Sequence, residues 1–317
     1  MSVCKICNNS ENNTSHRIRE MLIGTREVFE YIQCAKCRCI QIANIPADLA
    51  RHYPEDYYSF RHVPEPFWRS FLKRRVASYR IGGKVFPGKL LAKALRVPAL
   101  LERVARSKAG FDSNILDVGC GAGRKVLDLH RMGFTNISGV DPYIHADMEY
   151  ENGVKIRKMA ISEVEGEFDL VILHDSFEHM PEPLMVLREA HRILKANGTV
   201  LLRTPVADCF AWREYGVDWV QLDAPRHLFI HSRRSMKHLV EQARLVLSEV
   251  VYDSTSFQFW GSELYRKDIP LRDPRSYAEN PNGSVISKQD IKRFERMAAG
   301  LNAQEEGDSA SFYLCKT

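Results

Sequence analysis

No apolar run in the 317-residue sequence approaches the ~18 residues that a membrane-spanning helix requires. The opening residues, MSVCKICNNS, lack the basic-then-apolar pattern of a secretory leader. The Asn-x-Ser/Thr matches that begin at Asn8, Asn12 and Asn13 therefore carry no expectation of glycosylation, and a cytoplasmic chain is expected. At 44% hydrophobic and 27% charged residues, the composition is that of an ordinary globular protein. The length suits one large domain with extensions, or two domains. Cysteine is not scarce, but eight of them in a cytoplasmic chain argue against a disulfide framework. Five crowd into the first 39 residues.

Charge is unevenly spread. Residues 61–110 hold 13 Lys/Arg against Glu65 and Glu102, while the remaining residues are net acidic. Within that segment PFWRSFLKRRVASY has one apolar helical face beside Lys73, Arg74 and Arg75. Such a helix either rests on an anionic membrane surface, through 67–80, or packs against its own domain.

The clustered cysteines have metal-ligand spacing. CKIC at 4–7 and CAKC at 34–37 form a paired CxxC, and two intervening residues let both thiolates of a knuckle reach one tetrahedral Zn²⁺. Cys4, Cys7, Cys34 and Cys37 are the expected ligands, with Cys39 a bystander. Four thiolates leave no open coordination position, so the metal would be structural. EVFEYIQC reads as a strand entering the second knuckle.

From residue 114 strands and helices alternate. NILDV, NISGVD, VKIRKMAI, FDLVILHD and TVLLRTP read as strands, RKVLDLHRMG as a helix closed by Gly133, and PLMVLREAHRILKANG as a helix stopped at Gly198. SRRSMKHLVEQARL is a helix capped by Ser232, VLSEVVYDS a sixth strand, and SASFYLCK a seventh, antiparallel one. This is the pattern of a doubly wound, mostly parallel α/β sheet. Residues 1–60 form a small zinc-ribbon-like module, 61–110 a basic helical linker, and 111–317 the main domain, with an insertion at 261–307 containing a helix capped by Ser287. Ligands of such sheets lie at the carboxyl ends of the strands, where GCGAG follows the first strand. Asp117 stands two residues before Gly119. Asp141, 22 residues beyond Gly119 at the end of the second strand, suits a ribose diol.

The series ILDVGCGAG, GVDP, FDLVILHDSFEHMPEP and HRILKANGTVLLRTP resembles the class I S-adenosylmethionine-dependent methyltransferases, whose sheet is Rossmann-like, over residues 112–250. The resemblance implies S-adenosyl-L-methionine as cofactor. It places Asp117, Gly119, Gly121 and Gly123 around the methionine part and Asp141 on the ribose. Pro142 and Tyr143 would lie along the adenine edge, Ile161 and Ser162 would flank the adenine, and His174 would sit beneath the sulfonium. With its knuckle and PRHLFIHS, the chain resembles the subgroup of polysaccharide and deoxysugar biosynthesis. In the sugar C-methyltransferases of that type a tyrosine-rich segment follows the second CxxC, and HYPEDYYSF resembles it, making Tyr57 and Tyr58 candidates on the acceptor side. The long second C-terminal region of those enzymes is absent, which favours an O-methylated sugar over a C-methylated one.

Methyl transfer to a hydroxyl requires a base. LHDSFEHMPEP offers His174 and His179, and the aromatic stretch 210–232 offers His227, the first choice. Each histidine is otherwise a hydrogen-bonded structural residue. The expected reaction is methylation of a hydroxyl of a saccharide or similar small acceptor. RNA methylation, sugar C-methylation and a non-catalytic zinc-dependent binding protein are the alternatives. Against RNA, HDSF stands where many amino-methylating enzymes carry Asn/Asp-Pro-Pro-aromatic.

Overall fold

The computed structural model describes residues 3–53, 67–82 and 98–316. At the N-terminal end, β1 (Thr14–Arg19), β2 (Val28–Gln33) and β3 (Ile40–Ile42) form an antiparallel sheet. Helix α1 (Phe67–Gly82) follows, then α2 (Ala99–Arg106). In α1, Val76 and Ala77 are buried in the main core and Lys73 lies 3.7 Å from Asp128. Val76 and Ala77 thus pack that part of the helix against the chain's own core. The side chains of 67–72 lie outside the described residues.

The apolar runs then deliver the main sheet. Its strands are β4 (Ile115–Val118), β5 (Ile137–Val140), β6 (Met148–Glu149), β7 (Lys155–Arg157), β8 (Phe168–His174) and β9 (Leu194–Pro205). After β10 (Phe229–Ile230), which belongs elsewhere, come β11 (Leu245–Tyr252) and β12 (Ser309–Lys316). The order across the sheet is β11-β12-β9-β8-β4-β5-β7-β6. β7, β5, β4, β8 and β9 are parallel, and β12 runs antiparallel between β9 and β11. The order reverses at β4, which puts the turn after β4 at the switch point. To the seven expected strands the fold adds the two-residue edge strand β6, antiparallel to β7.

Helix α3 (Arg124–Met132) ends at Gly133, whose φ is 113°. The next helix, α4 (Pro183–Ile193), ends earlier than the glycine stop at 198 suggested. β9 begins at Leu194, and its pairing with β8 shifts register between Phe168 and Leu170. A Cβ on Gly198 would stand 2.9 Å from the Phe168 carbonyl oxygen. That glycine permits a close approach at a bulge instead of ending a helix. The strand expected over 154–161 is confined to Lys155–Arg157, and Ile161–Glu163 is a 3₁₀ turn. Beyond α5 (Phe210–Tyr215), α6 (Arg233–Gln242) is capped by Ser232, whose Oγ accepts from the Ser235 N–H at 3.0 Å. Helix α7 (Phe257–Arg266) straddles residue 261, so it is continuous with the main domain on one side and the insertion on the other. The final helix, α8 (Lys288–Ala303), is capped by Ser287. Among the described residues no helix is long and apolar enough to cross a membrane.

The N-terminal sheet takes its fourth strand from the main domain: β10 pairs antiparallel with β3, Phe229 opposite Gln41 and Ile230 opposite Ile40. The cysteine cluster and the sheet thus share one apolar core. At this junction Arg226, fully buried, donates to Glu20 Oε1 at 2.9 Å, to both Asp223 oxygens at 2.7 and 3.0 Å, and to the His52 carbonyl at 3.0 Å. Glu20, also fully buried, accepts from the backbone N–H groups of Leu22, Ile23, Gly24 and Thr25 at 2.9–3.0 Å. Burial alone would raise the Glu20 pKa, but these N–H donors and Arg226 outweigh it and hold the carboxyl below its usual range.

Removing Glu20 leaves Arg226 its Asp223 pair but strips one guanidinium donor and four backbone N–H groups of their acceptor. Leaving buried donors unsatisfied is costly, so Glu20→Ala should destabilise the protein by about 1–3 kcal/mol at pH 7 in urea denaturation. Because the folded pKa is depressed, this contribution is full above the unfolded value near about 4.3 and is lost as pH falls through the lower folded value. The difference between wild type and variant should shrink correspondingly in acid.

Candidate active site

The turn after β4 can be built only by glycine at its critical points. Gly119, Gly121 and Gly123 have φ of 73°, 55° and 71°. A Cβ on Gly119 would meet Ser176 Cβ at 2.6 Å, and one on Gly123 would meet Ile156 Cδ1 at 2.5 Å. The Gly119 N–H donates to the Val140 carbonyl at 2.8 Å and the Gly121 N–H to Asp141 Oδ2 at 2.9 Å, which ties the turn to the end of β5. Asp141 Oδ1 accepts from the Tyr143 N–H at 2.8 Å. Each of its oxygens keeps a lone pair for a hydroxyl. Pro142 and Tyr143 lie exposed on the rim, Ile161 is buried at the start of its 3₁₀ turn, and Ser162 is exposed beside it.

Asp117, at the end of β4, is buried, and its Oδ2 has no hydrogen-bond partner. Burial, with Asp141 and Asp175 adding to it against Lys125, pushes its pKa up to about 7. An orphaned buried carboxylate oxygen is costly, and a cationic group arriving beside it would satisfy it. The donor set fits the amino-acid end of S-adenosylmethionine.

His174 differs from a free base. Its Nε2 lies 3.0 Å from Arg103 Nη1 and its Nδ1 3.0 Å from Asp175 Oδ2. Asp175 pairs with Arg203, Arg203 with Asp253 at 2.9 Å, and Asp253 with Arg103 at 2.6 Å. The five side chains close a ring. Arg103 can only donate, so Nε2 accepts, Nδ1 carries the proton, and the imidazole is neutral. Burial lowers its pKa to about 4. Arg103 engages Nε2, while Nδ1 is buried and makes no hydrogen bond of its own despite its approach to Asp175; in this arrangement the ring offers no free lone pair to an acceptor.

Beside the ring opens a cleft of about 180 Å³, walled by Asp175, Glu178, His179, Arg203, His227 and Phe257. The His227 Nδ1 lies 2.7 Å from the Gln221 carbonyl and the His179 Nδ1 2.8 Å from the Arg226 carbonyl. A carbonyl only accepts, so each Nδ1 carries the proton and each Nε2 keeps a lone pair. The rings approach edge to face with centroids 4.7 Å apart. His227 Nε2 stands 3.9 Å from Glu178 Oε1, while Thr204 Oγ1 donates to Glu178 Oε2 at 3.1 Å. Burial lowers the pKa of both histidines, His179 to about 4, and raises Glu178 to about 8. At neutral pH the cleft thus presents two neutral imidazoles and a protonated carboxyl. Glu178, His179 and His227 also bring one ligand atom each within 4.8 Å of one another, a donor set able to take a divalent ion.

At the front of the chain Cys4, Cys7, Cys34 and Cys37 cluster, with Cys4–Cys37 and Cys7–Cys34 sulfur separations of 3.6 and 3.5 Å. The edge of a tetrahedron of about 2.3 Å Zn–S bonds is about 3.8 Å. Each CxxC is followed by a left-handed residue, Asn8 at φ 57° and Arg38 at φ 64°. The Asn8 N–H returns to the Cys4 carbonyl and the Arg38 N–H to the Cys34 carbonyl. The two knuckles are alike, and the donor set fits zinc.

Tyr57 and Tyr58 lie outside the described residues. Tyr53, just before them, has its hydroxyl 3.3 Å from His179 Nδ1. Sequence reasoning passed over Arg203, Arg103 and Asp253, and saw Arg226 only as one of the residues of the 210–232 stretch. Arg203 had a signal, a lone cation within the apolar strand TVLLRTP; Arg103 and Asp253 are too distant in sequence to have had one.

A family model described as a methyltransferase domain matches residues 88–250. The ubiquinone biosynthesis O-methyltransferase of Pseudomonas aeruginosa (strain UCBPP-PA14) is 34% identical over 112 residues, 31% of this chain and 48% of that one. The enzyme of the same name from Acinetobacter baumannii (strain AYE) is 26% identical over 170 residues, 46% of this chain and 70% of that one. The chain thus spans about half the length of the first relative. Both are named for ubiquinone biosynthesis and not for polysaccharide or deoxysugar methylation. Among solved structures, geranyl diphosphate C-methyltransferase from Streptomyces coelicolor A3(2) aligns over 85% of this chain and 97% of its own, with a TM-score of 0.45 and 16% identity. With the family model covering just over half of its residues, the chain belongs to the methyltransferase-domain family, the class I S-adenosylmethionine-dependent methyltransferases.

Proposed function

We propose that the protein transfers a methyl group from S-adenosylmethionine to a hydroxyl oxygen of a small, uncharged polar acceptor, with His227 as base. The observation that carries this reading is the His227 tautomer: with Nδ1–H held by the Gln221 carbonyl, Nε2 keeps its lone pair at the cleft. There it can take the hydroxyl proton as the oxygen attacks. S-adenosylmethionine supplies the methyl as a sulfonium. On its side Asp117 receives the ammonium, the turn through Gly119, Gly121 and Gly123 admits the backbone approach, and Asp141 holds the ribose diol. Pro142, Ile161 and Ser162 border the adenine. His179, beside His227, orients the acceptor.

The remaining lining of the cleft includes Gln221, Thr255, Asp308 and Ser309. Hydroxyl, amide and carboxyl groups with Phe257 as a face suit a polyhydroxyl acceptor such as a sugar. The relatives' names, which specify O-methylation, support an oxygen acceptor. Cys4, Cys7, Cys34 and Cys37 hold one structural zinc in this reading.

Three outcomes are expected. Burial has raised Asp117 to about 7, and the ammonium favours its ionised form. S-adenosylhomocysteine affinity, measured by calorimetry, should therefore weaken about tenfold per pH unit below 7, with proton release on binding; Asp117→Asn should abolish this dependence. With methyl-labelled S-adenosylmethionine offered alongside sugars, nucleotide-sugars, phenols and RNA, label should enter a hydroxyl acceptor. His227→Ala should cut turnover by about 10²–10⁴-fold while leaving S-adenosylhomocysteine affinity intact. Label in RNA would overturn the reading, and activity lost to a chelator and restored by Mg²⁺ or Mn²⁺ would make His227 an ion ligand instead of a base. Finally, elemental analysis should find one zinc per chain, and Cys34→Ser should lose it together with several degrees of melting temperature.

A further inference from the structure

His227 sits on a short stretch, residues 223–228, whose anchors come largely from the cysteine module. Arg226 Nη2 donates to Glu20 and Nη1 to the His52 carbonyl. The Tyr31 hydroxyl, on a side chain with no exposed surface, donates to the His227 carbonyl at 2.9 Å. The Leu228 carbonyl accepts from the Ile42 N–H at 2.9 Å, and β10 continues the module's sheet. On the opposite face of the same stretch, the Leu228 N–H donates to the Glu178 carbonyl at 2.8 Å and the His227 ring to Gln221. One face of the stretch is therefore held by the module, and the other walls the cleft. The turn through Gly119, Gly121 and Gly123 is tied instead to β5 and Asp141.

We propose that Glu20 and Tyr31 are positioning residues for the acceptor side of the site. The buried Glu20–Arg226 ion pair and the Tyr31–His227 hydrogen bond fix residues 223–228 so that His227 Nε2 faces the cleft. The module thereby sets the geometry of the acceptor wall and leaves the cofactor side alone. This rests on the reading of residues 223–228 as the acceptor wall and is independent of which acceptor is methylated.

The test uses the full chain as Tyr31→Phe and as Glu20→Gln, without any acceptor. Imidazole ¹⁵N spectra report the His227 tautomer. Hydrogen–deuterium exchange compares residues 221–231 with residues 115–140, and calorimetry measures S-adenosylhomocysteine binding. Tyr31→Phe removes one oxygen from a packed ring and preserves the fold if Glu20→Gln does not. The proposal expects exchange in 221–231 at least tenfold faster and loss of the single Nδ1–H signal of His227. Exchange in 115–140 should be unchanged, and S-adenosylhomocysteine affinity should stay within twofold. An unchanged His227 signal with unchanged exchange in Tyr31→Phe overturns it, as does a uniform loss of protection across both segments. Turnover failing in the acceptor panel while these local changes appear would remove the proposed reaction and leave the positioning intact.

Discussion

Arg226 carries its charge with no surface in contact with water, and the architecture around it exists to make that tolerable. A buried guanidinium must find acceptors for its fork of donors. Here they come from two directions: Asp223 three residues earlier, and Glu20 and the His52 carbonyl more than 170 residues away. Glu20 is itself neutralised on its other flank by the backbone of the turn that follows it. Pull either residue away and the module and main sheet lose more than a contact, since Glu20 would lose its cation and Arg226 one of its acceptors with no water to take the place. The shared apolar core beneath is non-directional, whereas this pair fixes how the two parts meet.

The cofactor side depends on a different constraint. A parallel sheet reversing its order at β4 leaves a crevice there, and the left-handed turn keeps the crevice clear of side chains. The end of β4 then buries Asp117 without a partner for one of its oxygens. The proposed acceptor side is built from irregular backbone: a 3₁₀ turn carrying Glu178 and His179, and the stretch carrying His227. Carbonyl groups select the tautomers there. One half of the site is thus specified by sheet topology and the other by individual hydrogen bonds across long sequence distances.

That division explains what the sequence disclosed. The glycine turn, the strand series, the paired CxxC motifs and the caps at Ser232 and Ser287 are local patterns whose physics is complete within a few residues. Gly198 was misread because helix stop and close approach use the same property, the missing Cβ. The amphipathic pattern of α1 showed an apolar face, but not that Val76 and Ala77 on it pack into the chain's own core. His174, His179 and His227 were all visible as histidines. What separates His174 from the other two is that Arg103 engages its Nε2, whereas His179 and His227 are held at Nδ1 by the Arg226 and Gln221 carbonyls, and that is decided through folded geometry alone.

The ring of His174, Asp175, Arg203, Asp253 and Arg103 has a consequence for how this site can change over time. Two cations, two anions and a neutral imidazole sum to zero, so the wall is electrically silent as a whole though every member but the imidazole is charged. Replacing Arg103, Arg203 or Asp253 leaves an odd charge among side chains largely out of water, while Asp175 is the most exposed member at 34%, so single-step change at the first three is costly. Gln221, Thr255 and Phe257 border the same cleft outside that circuit. Diversification of acceptor preference among descendants of this chain would therefore accumulate at those three positions, around an immobile electrostatic frame.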